Sequence, residues 1–286
     1  MRHEPLRQCP CWWKLLSGLF LPCLIISLSS GLVLLFQYRP QGNVFQSVEH
    51  ITTLVPYGFF FRRLHFASGQ ACALLALIHV THHLAKGASA RTSLRVWLRL
   101  TGGLGICFLL LLTGFILKGD QESVLAGTIL KNLAGAVPLV GAWLAPLAVG
   151  EGQSFFLPPY IAHCFILPVA LLALLHGHLR SWRPDNNTLA IAALLLGGWT
   201  VTVPLGLPAP PGMPVDGASG PWFLLGLQEL LRLMPPLWGG IILPGLFFVL
   251  VAALPILRGR WAKPAHYAVL ICVGLYLLLE LKRALA

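Results

Sequence analysis

An all-α integral membrane bundle of about seven transmembrane helices, with two short helices on one membrane surface, is the fold class that the sequence predicts. Of 286 residues, 57% are hydrophobic and only 10% charged, against roughly 25% charged in an ordinary soluble domain. Mean hydropathy is +0.78, which excludes a water-soluble fold. At about 20 apolar residues per crossing, this length is consumed by spanning helices, and no separate soluble catalytic module fits. The formal charge of +11 would suggest nucleic acid in a soluble chain. Here the basic residues fall between apolar runs, where they set membrane orientation, so nucleic acid is excluded as a partner and membrane lipid is expected.

Apolar runs long enough to span lie at 14–36, 67–85, 98–117, 160–180, 188–207, 237–257 and 265–281. An odd number puts the termini on opposite sides. Arg2, Arg7 and Lys14 precede the first run, Lys86, Arg91, Arg95 and Arg99 separate the second and third, Arg180 and Arg183 follow the fourth, and Arg258, Arg260 and Lys263 precede the last. All of these fall on one side, which is therefore expected to be cytoplasmic, together with the N-terminus; Arg39, Arg62 and Arg63 dissent. The first run is a full span without a small-residue cleavage site, so no cleavable signal peptide is expected. In the long connection between the third and fourth runs, Glu122–Leu133 and Val137–Val149 are weakly amphipathic and separated at Pro138, predicting two surface helices. A boundary through Trp182–Thr188 divides the chain into a four-helix unit, 1–183, and a three-helix unit, 184–286. Five of the seven cysteines fall inside apolar runs, where a thiol packs as a small hydrophobe, and no disulfide framework is indicated.

Histidines carry the chemistry. His65 and His79 lie on the second helix, His163 and His176 or His178 on the fourth, and ionisable groups at such positions are functional by default. Fourteen residues of α-helix rise about 21 Å and rotate about 40° short of four turns, so His65 and His79 share a face at two depths. From His163, His178 is about 60° out of phase and His176 about 140°, so His178 is the better partner. Pro168 removes a backbone hydrogen bond and can bend the helix to absorb the mismatch. The two helices run in the same direction, so His65 meets His163 near one side and His79 meets His178 near the other. Each pair can ligate one haem through two imidazoles. A histidine pair without carboxylate or thiolate is a poor zinc site. Arg62, Arg63 and Arg183 flank the pairs and suit haem propionates.

These residues resemble the cytochrome b family of quinol:cytochrome c oxidoreductases over nearly the whole chain, most closely the split chloroplast and bacterial form. The segments that carry the resemblance are Leu35-Phe36-Gln37-Tyr38-Arg39-Pro40, Phe61-Arg62-Arg63-Leu64-His65, Ile78-His79-Val80, Gly127-Thr128-Ile129-Leu130-Lys131-Asn132-Leu133 and His163-Cys164-Phe165-Ile166-Leu167-Pro168. The resemblance implies a quinol oxidoreductase subunit, active within a multi-subunit complex, that exchanges electrons with membrane quinone and conducts them across the membrane. It implies two b-type haems, menaquinone or a similar quinone, and Gly18, Gly31 and Gly114 as haem-contact positions. It also implies a Rieske iron-sulfur protein or c-type, including multihaem, cytochrome subunits as partners, a dimeric or larger assembly, and a bacterial cytoplasmic membrane.

The departures are specific. Where the family has Pro-Glu-Trp-Tyr, whose glutamate takes a quinol proton, this chain has Gly220-Pro221-Trp222-Phe223. Glu229 lies two helical turns further on, too far to substitute by a shift of register. Pro221, Trp222, Phe223 and Ala126, where fungal relatives have glycine, are the implied quinol-site residues. Leu15 stands at the cysteine that binds an extra haem in the chloroplast form, so that haem is not expected. Two competing readings remain: the diheme membrane anchor of a hydrogenase or formate dehydrogenase, and a haem-free transporter with histidine proton relays.

Overall fold

The computed structural model describes residues 11–180, 184–203, 205, 209–212, 220–257 and 259–285; the side chains of residues 11–14 and 178–180 lie outside that description. The described residues form helices joined by turns and short connections, without a strand. Five helices are long and apolar enough to cross a membrane: Leu15–Leu35, Gly58–Ala85, Leu94–Ile116, Gly152–Gly177 and Gly259–Ala284. The remaining two sequence-predicted spans form shorter helices of 17 residues, Asn186–Thr202 and Leu237–Ala253, at the lower limit for crossing the hydrocarbon core. The protein is a multi-pass helical membrane bundle.

In chain order the helices are α1 (Cys11–Leu35), α2 (Val44–Thr53), α3 (Gly58–Ala85), α4 (Leu94–Ile116), α5 (Gln121–Gly135), α6 (Gly141–Ala148), α7 (Leu157–Ile161), α8 (Leu167–Arg180), α9 (Asn186–Thr202), α10 (Leu225–Leu233), α11 (Leu243–Ala253) and α12 (Ala262–Ala284). Between α7 and α8 the chain stays helical but widens into a π-turn over Ala162–Ile166. The cause is local: Pro168 has no amide to close the α-helical bond back to Cys164, and the ring displaces that carbonyl. Short polar side chains start several helices. Asn43 accepts from the Gln46 amide at 3.1 Å, Asp120 from Ser123 at 3.0 Å, and Asp185 from Thr188 at 2.7 Å, each satisfying an orphan first-turn donor.

Three apolar clusters hold the bundle. Cys23, Leu24, Ala67, Cys107, Leu171 and Leu196 form the central one, which joins α1, α3, α4, α8 and α9. Val44, Ile116, Leu117 and Phe156 make a second at the end where α2, α5 and α6 lie, called the outer face below. Leu84, Trp97, Val251, Leu254 and Val269 close the opposite end. There the fully buried Trp97 donates its indole N–H to the Val251 carbonyl at 2.7 Å, fastening α4 to α11. Large exposed aliphatic side chains such as Leu194, Val249, Ile271 and Leu278 stud the outside of the helices, as a bundle solvated by lipid requires. The surface helices start close to their expected positions, but α2 and α10 are short helices that hydropathy did not reveal.

Candidate haem-ligand site

His65 on α3 and His163 in the π-turn face each other, ring centroids 5.9 Å apart and planes at 83°. Each ring is held in the same way by a different helix. The Nδ1 of His65 lies 2.9 Å from the Ser27 carbonyl and 3.4 Å from the Ser30 hydroxyl of α1. The Nδ1 of His163 lies 3.1 Å from the Leu110 carbonyl and 3.1 Å from the Thr113 hydroxyl of α4. Both hydroxyls give their own protons to carbonyls one turn back, Ser30 to Ile26 at 2.7 Å and Thr113 to Leu109 at 2.7 Å. Their oxygens are thus acceptors, and so are the carbonyls, so Nδ1 of each imidazole carries the proton and Nε2 keeps its lone pair.

Glycine completes each cradle. A Cβ on Gly31 would stand 2.8 Å from His65 Cε1, and one on Gly114 2.8 Å from His163 Cε1. The two halves therefore share one pattern: carbonyl, hydroxyl three residues on, glycine the next. Two imidazole nitrogens, each about 2 Å from one metal, place their ring centroids about 6 Å apart, which matches the observed 5.9 Å. Among the described residues no three His, Cys, Asp or Glu side chains converge, so the donor set is the imidazole pair, suited to a centre whose other ligands come from a macrocycle.

At the other end, His79 lines a small crevice with Leu16, Ser17, Leu75 and Ile78. Gly18 is buried beside it on α1. His83 packs on His79 at 4.6 Å and His82 on His83 at 6.0 Å. His176 is exposed on α8. The side chain of His178 and all of Arg183 lie outside the described residues. Arg62 donates to Thr52 at 3.2 Å and Arg63 to the Thr200 carbonyl at 3.4 Å, so both are braced near the outer imidazole pair.

The Pro221-Trp222-Phe223 segment forms a tight turn before α10. Phe223 is buried against Phe108 of α4, centroids 6.3 Å apart, and Trp222 stands at right angles to it at 5.7 Å. The exposed Trp222 indole donates to Gln70 of α3 at 2.7 Å, a partner that nothing in the sequence pattern announced. Ala126 packs against the outer apolar cluster. Nearby on the outer face, Gln121 bonds Ala209 and Gly212, and Asp120 caps α5 and pairs with Lys118 at 2.9 Å. A separate open cleft on the outer face is lined by Asn43, Phe45, Glu49, Gly119, Pro210 and Pro211.

Comparison with known proteins points to one family. The family description cytochrome b/b6/petB matches residues 5–184. Cytochrome b6 of Emiliania huxleyi is 31% identical over 169 residues, covering 57% of this chain and 78% of the relative, and that of Mesostigma viride gives the same figures. Among solved structures, a chain of a hyperthermophilic respiratory Complex III shares the fold with a TM-score of 0.70 at 18% identity, covering 95% of this chain and 90% of its own. With more than half its length matched, spanning helices and paired imidazoles included, the chain belongs to the cytochrome b/b6 family.

Proposed function

We propose that this protein is the diheme b-type cytochrome subunit of a quinol-oxidising electron-transfer complex, taking electrons from membrane quinol and conducting them across the bilayer. The matched cradles around His65 and His163 carry the reading, because they hold the two rings with centroids 5.9 Å apart, a spacing that suits one metal between them. A bound haem supplies reversible one-electron chemistry. The chain supplies the rest: Ser27 and Leu110 orient the rings, the two glycines leave room for them, and Arg62 and Arg63 offer guanidinium groups for propionates, with Arg183 in that role at the inner end. His79 and His178 form the second pair, about 21 Å further along the bundle.

Pro221, Trp222, Phe223 and Ala126 belong to an outer quinol site, where Trp222 and Phe223 make an aromatic wall for a menaquinone-type ring. A Rieske protein or c-type cytochrome subunit receives the other electron. The assembly is dimeric or larger and sits in a bacterial cytoplasmic membrane with the N-terminus cytoplasmic. The family match favours this reading over a haem-free transporter.

The test is a pyridine haemochrome measurement on purified variants. His65→Ala and His163→Ala should each lose the same haem, His79→Ala and His178→Ala the other, and His176→Ala none. A wild-type protein without b-type haem would overturn the proposal, and loss of a haem in His176→Ala would overturn the ligand assignment.

A further inference from the structure

Oxidising a quinol releases protons as well as electrons, and the side chains of the Pro221-Trp222-Phe223 turn have no group able to accept one. The chain contains nine carboxylates, and most of the described ones are committed elsewhere. Asp120 and Glu122 share Lys118 at 2.9 and 3.4 Å, Glu151 pairs with Lys131 at 3.1 Å, and Asp185 caps α9 at the opposite end. Glu49 is exposed on α2. Glu229 is buried, but it bonds Lys282 and lies 3.8 Å from Arg232. The hydrogen bond from Lys282 holds its carboxyl below the usual range, which makes it a poor base.

Glu280 on α12 differs. It is half-buried, and among the described residues no ion pair involves it. It stands four residues after Tyr276 on the same face of α12, with its carboxylate beside the Tyr276 hydroxyl and the Gly226 amide. Tyr276 in turn lies against the turn itself: its hydroxyl is 3.4 Å from the Phe223 carbonyl oxygen, and a Cβ on Gly226 would stand 2.8 Å from its ring. The fold thus brings a carboxylate from the end of the chain to the first turn of α10, just behind Trp222 and Phe223. Of the charged residues on these helices, α10 carries Glu229 and Arg232 and the last turn of α12 carries Lys282 and Arg283, while α11 carries none.

We propose that Glu280, positioned by Tyr276, accepts a proton at the outer quinol site, in the role that the turn itself cannot fill. The inference rests on the quinol-oxidising reading above. Conversion of one quinol to quinone breaks two O–H bonds and releases two electrons and two protons. One electron goes to the b-type haem of the outer pair and one to a one-electron acceptor on a redox partner subunit. One proton goes to the Glu280 carboxylate, giving the carboxylic acid, and the other to water.

The test is stopped-flow haem reduction by a menaquinol analogue in the purified complex, with haem quantified in parallel, together with pH-difference infrared spectra in the carboxyl region. Glu280→Gln should slow reduction about a hundredfold, keep its haem and lose a protonation-linked carboxyl band, whereas Glu229→Gln should reduce at the wild-type rate. Adding Pro221→Glu to Glu280→Gln should restore much of the rate. A Glu280→Gln protein that reduces at the wild-type rate with haem intact overturns the inference and leaves the proposed function standing. A haem-loaded wild type that quinol does not reduce overturns both. If Glu280→Gln fails to accumulate, Tyr276→Phe decides: its pH–rate profile should shift, and an unshifted profile overturns the inference.

Discussion

Replacing Gly31 or Gly114 by alanine is the sharpest way to test whether the two cradles hold metal ligands. The new methyl carbon would stand 2.8 Å from a ring carbon of His65 or His163, about 0.7 Å inside the roughly 3.5 Å at which carbon atoms begin to pack comfortably. Neither ring can simply swing aside, because each Nδ1 is anchored to a helix carbonyl at 2.9 or 3.1 Å. A shift of about 0.7 Å would stretch either bond past the usual hydrogen-bond range. Overpacking of this kind costs about 1–3 kcal/mol, and the displaced Nε2 no longer points at the shared centre. Both variants should therefore lose the same haem, read as a halved haem-to-protein ratio, while the inner haem remains. Gly105→Ala on α4 is the control, since nothing lies within 4 Å of its added Cβ, and it should keep both. If Gly31→Ala and Gly114→Ala retain full haem with unshifted spectra, the rings are not held where a metal needs them, and the cradle argument fails.

Other expectations follow from single contacts. Trp97→Phe removes the indole bond to Val251, whose carbonyl also takes the Leu254 amide at 3.3 Å, so thermal unfolding in detergent should report a loss of about 0.5–1.5 kcal/mol rather than collapse. Glu229→Gln tests the sign of an ion pair: Lys282 holds the folded carboxyl below its ordinary 4.5, so its contribution is complete above that value and fades as pH falls through the lowered one. The variant should melt below the wild type at neutral pH, with the gap closing under acid; a gap that widens instead refutes the pairing. Phe223→Ala should depress quinol-driven haem reduction while haem content holds, and unchanged kinetics would move the quinol site away from the α10 turn.

Hydropathy located the spanning helices because lipid demands long apolar runs, yet it misjudged where one of them begins. The second run starts at residue 67 by composition, while α3 starts at Gly58. The intervening turns carry Arg62, Arg63 and His65, so the apolar signal ends before the helix does. The helix α2 escaped for a related reason: it is ten residues long and half polar, and its one legible signal was Asn43, a good N-cap. In the site, the imidazoles were legible because titratable groups in apolar helices stand out. Their holders were not, since a carbonyl acceptor has no sequence signature. The dipeptides Ser30-Gly31 and Thr113-Gly114 were the one trace: each sets a hydroxyl beside a glycine one turn after the carbonyl that orients the ring. The bond from Trp222 to Gln70 spans 152 positions and left no trace.

The π-turn resolves the mismatch that spacing alone left in the fourth helix. In a regular α-helix, His163 and His178 are about 60° out of register while His65 and His79 fall about 40° short of alignment, so two stacked pairs would face different ways. The turn at Ala162–Ile166 is wide enough to take up one extra residue. Fifteen residues that contain it rotate like fourteen, about 40° short of four turns, the same phase as on α3. Pro168 thus acts by widening the helix. It sits five residues beyond His163, so the correction is made at His163 itself and carried unchanged down α8. On this geometry a second pair at His79 and His178 needs no further distortion, and the one-residue difference in spacing between the two helices is the counterpart of that single wide turn.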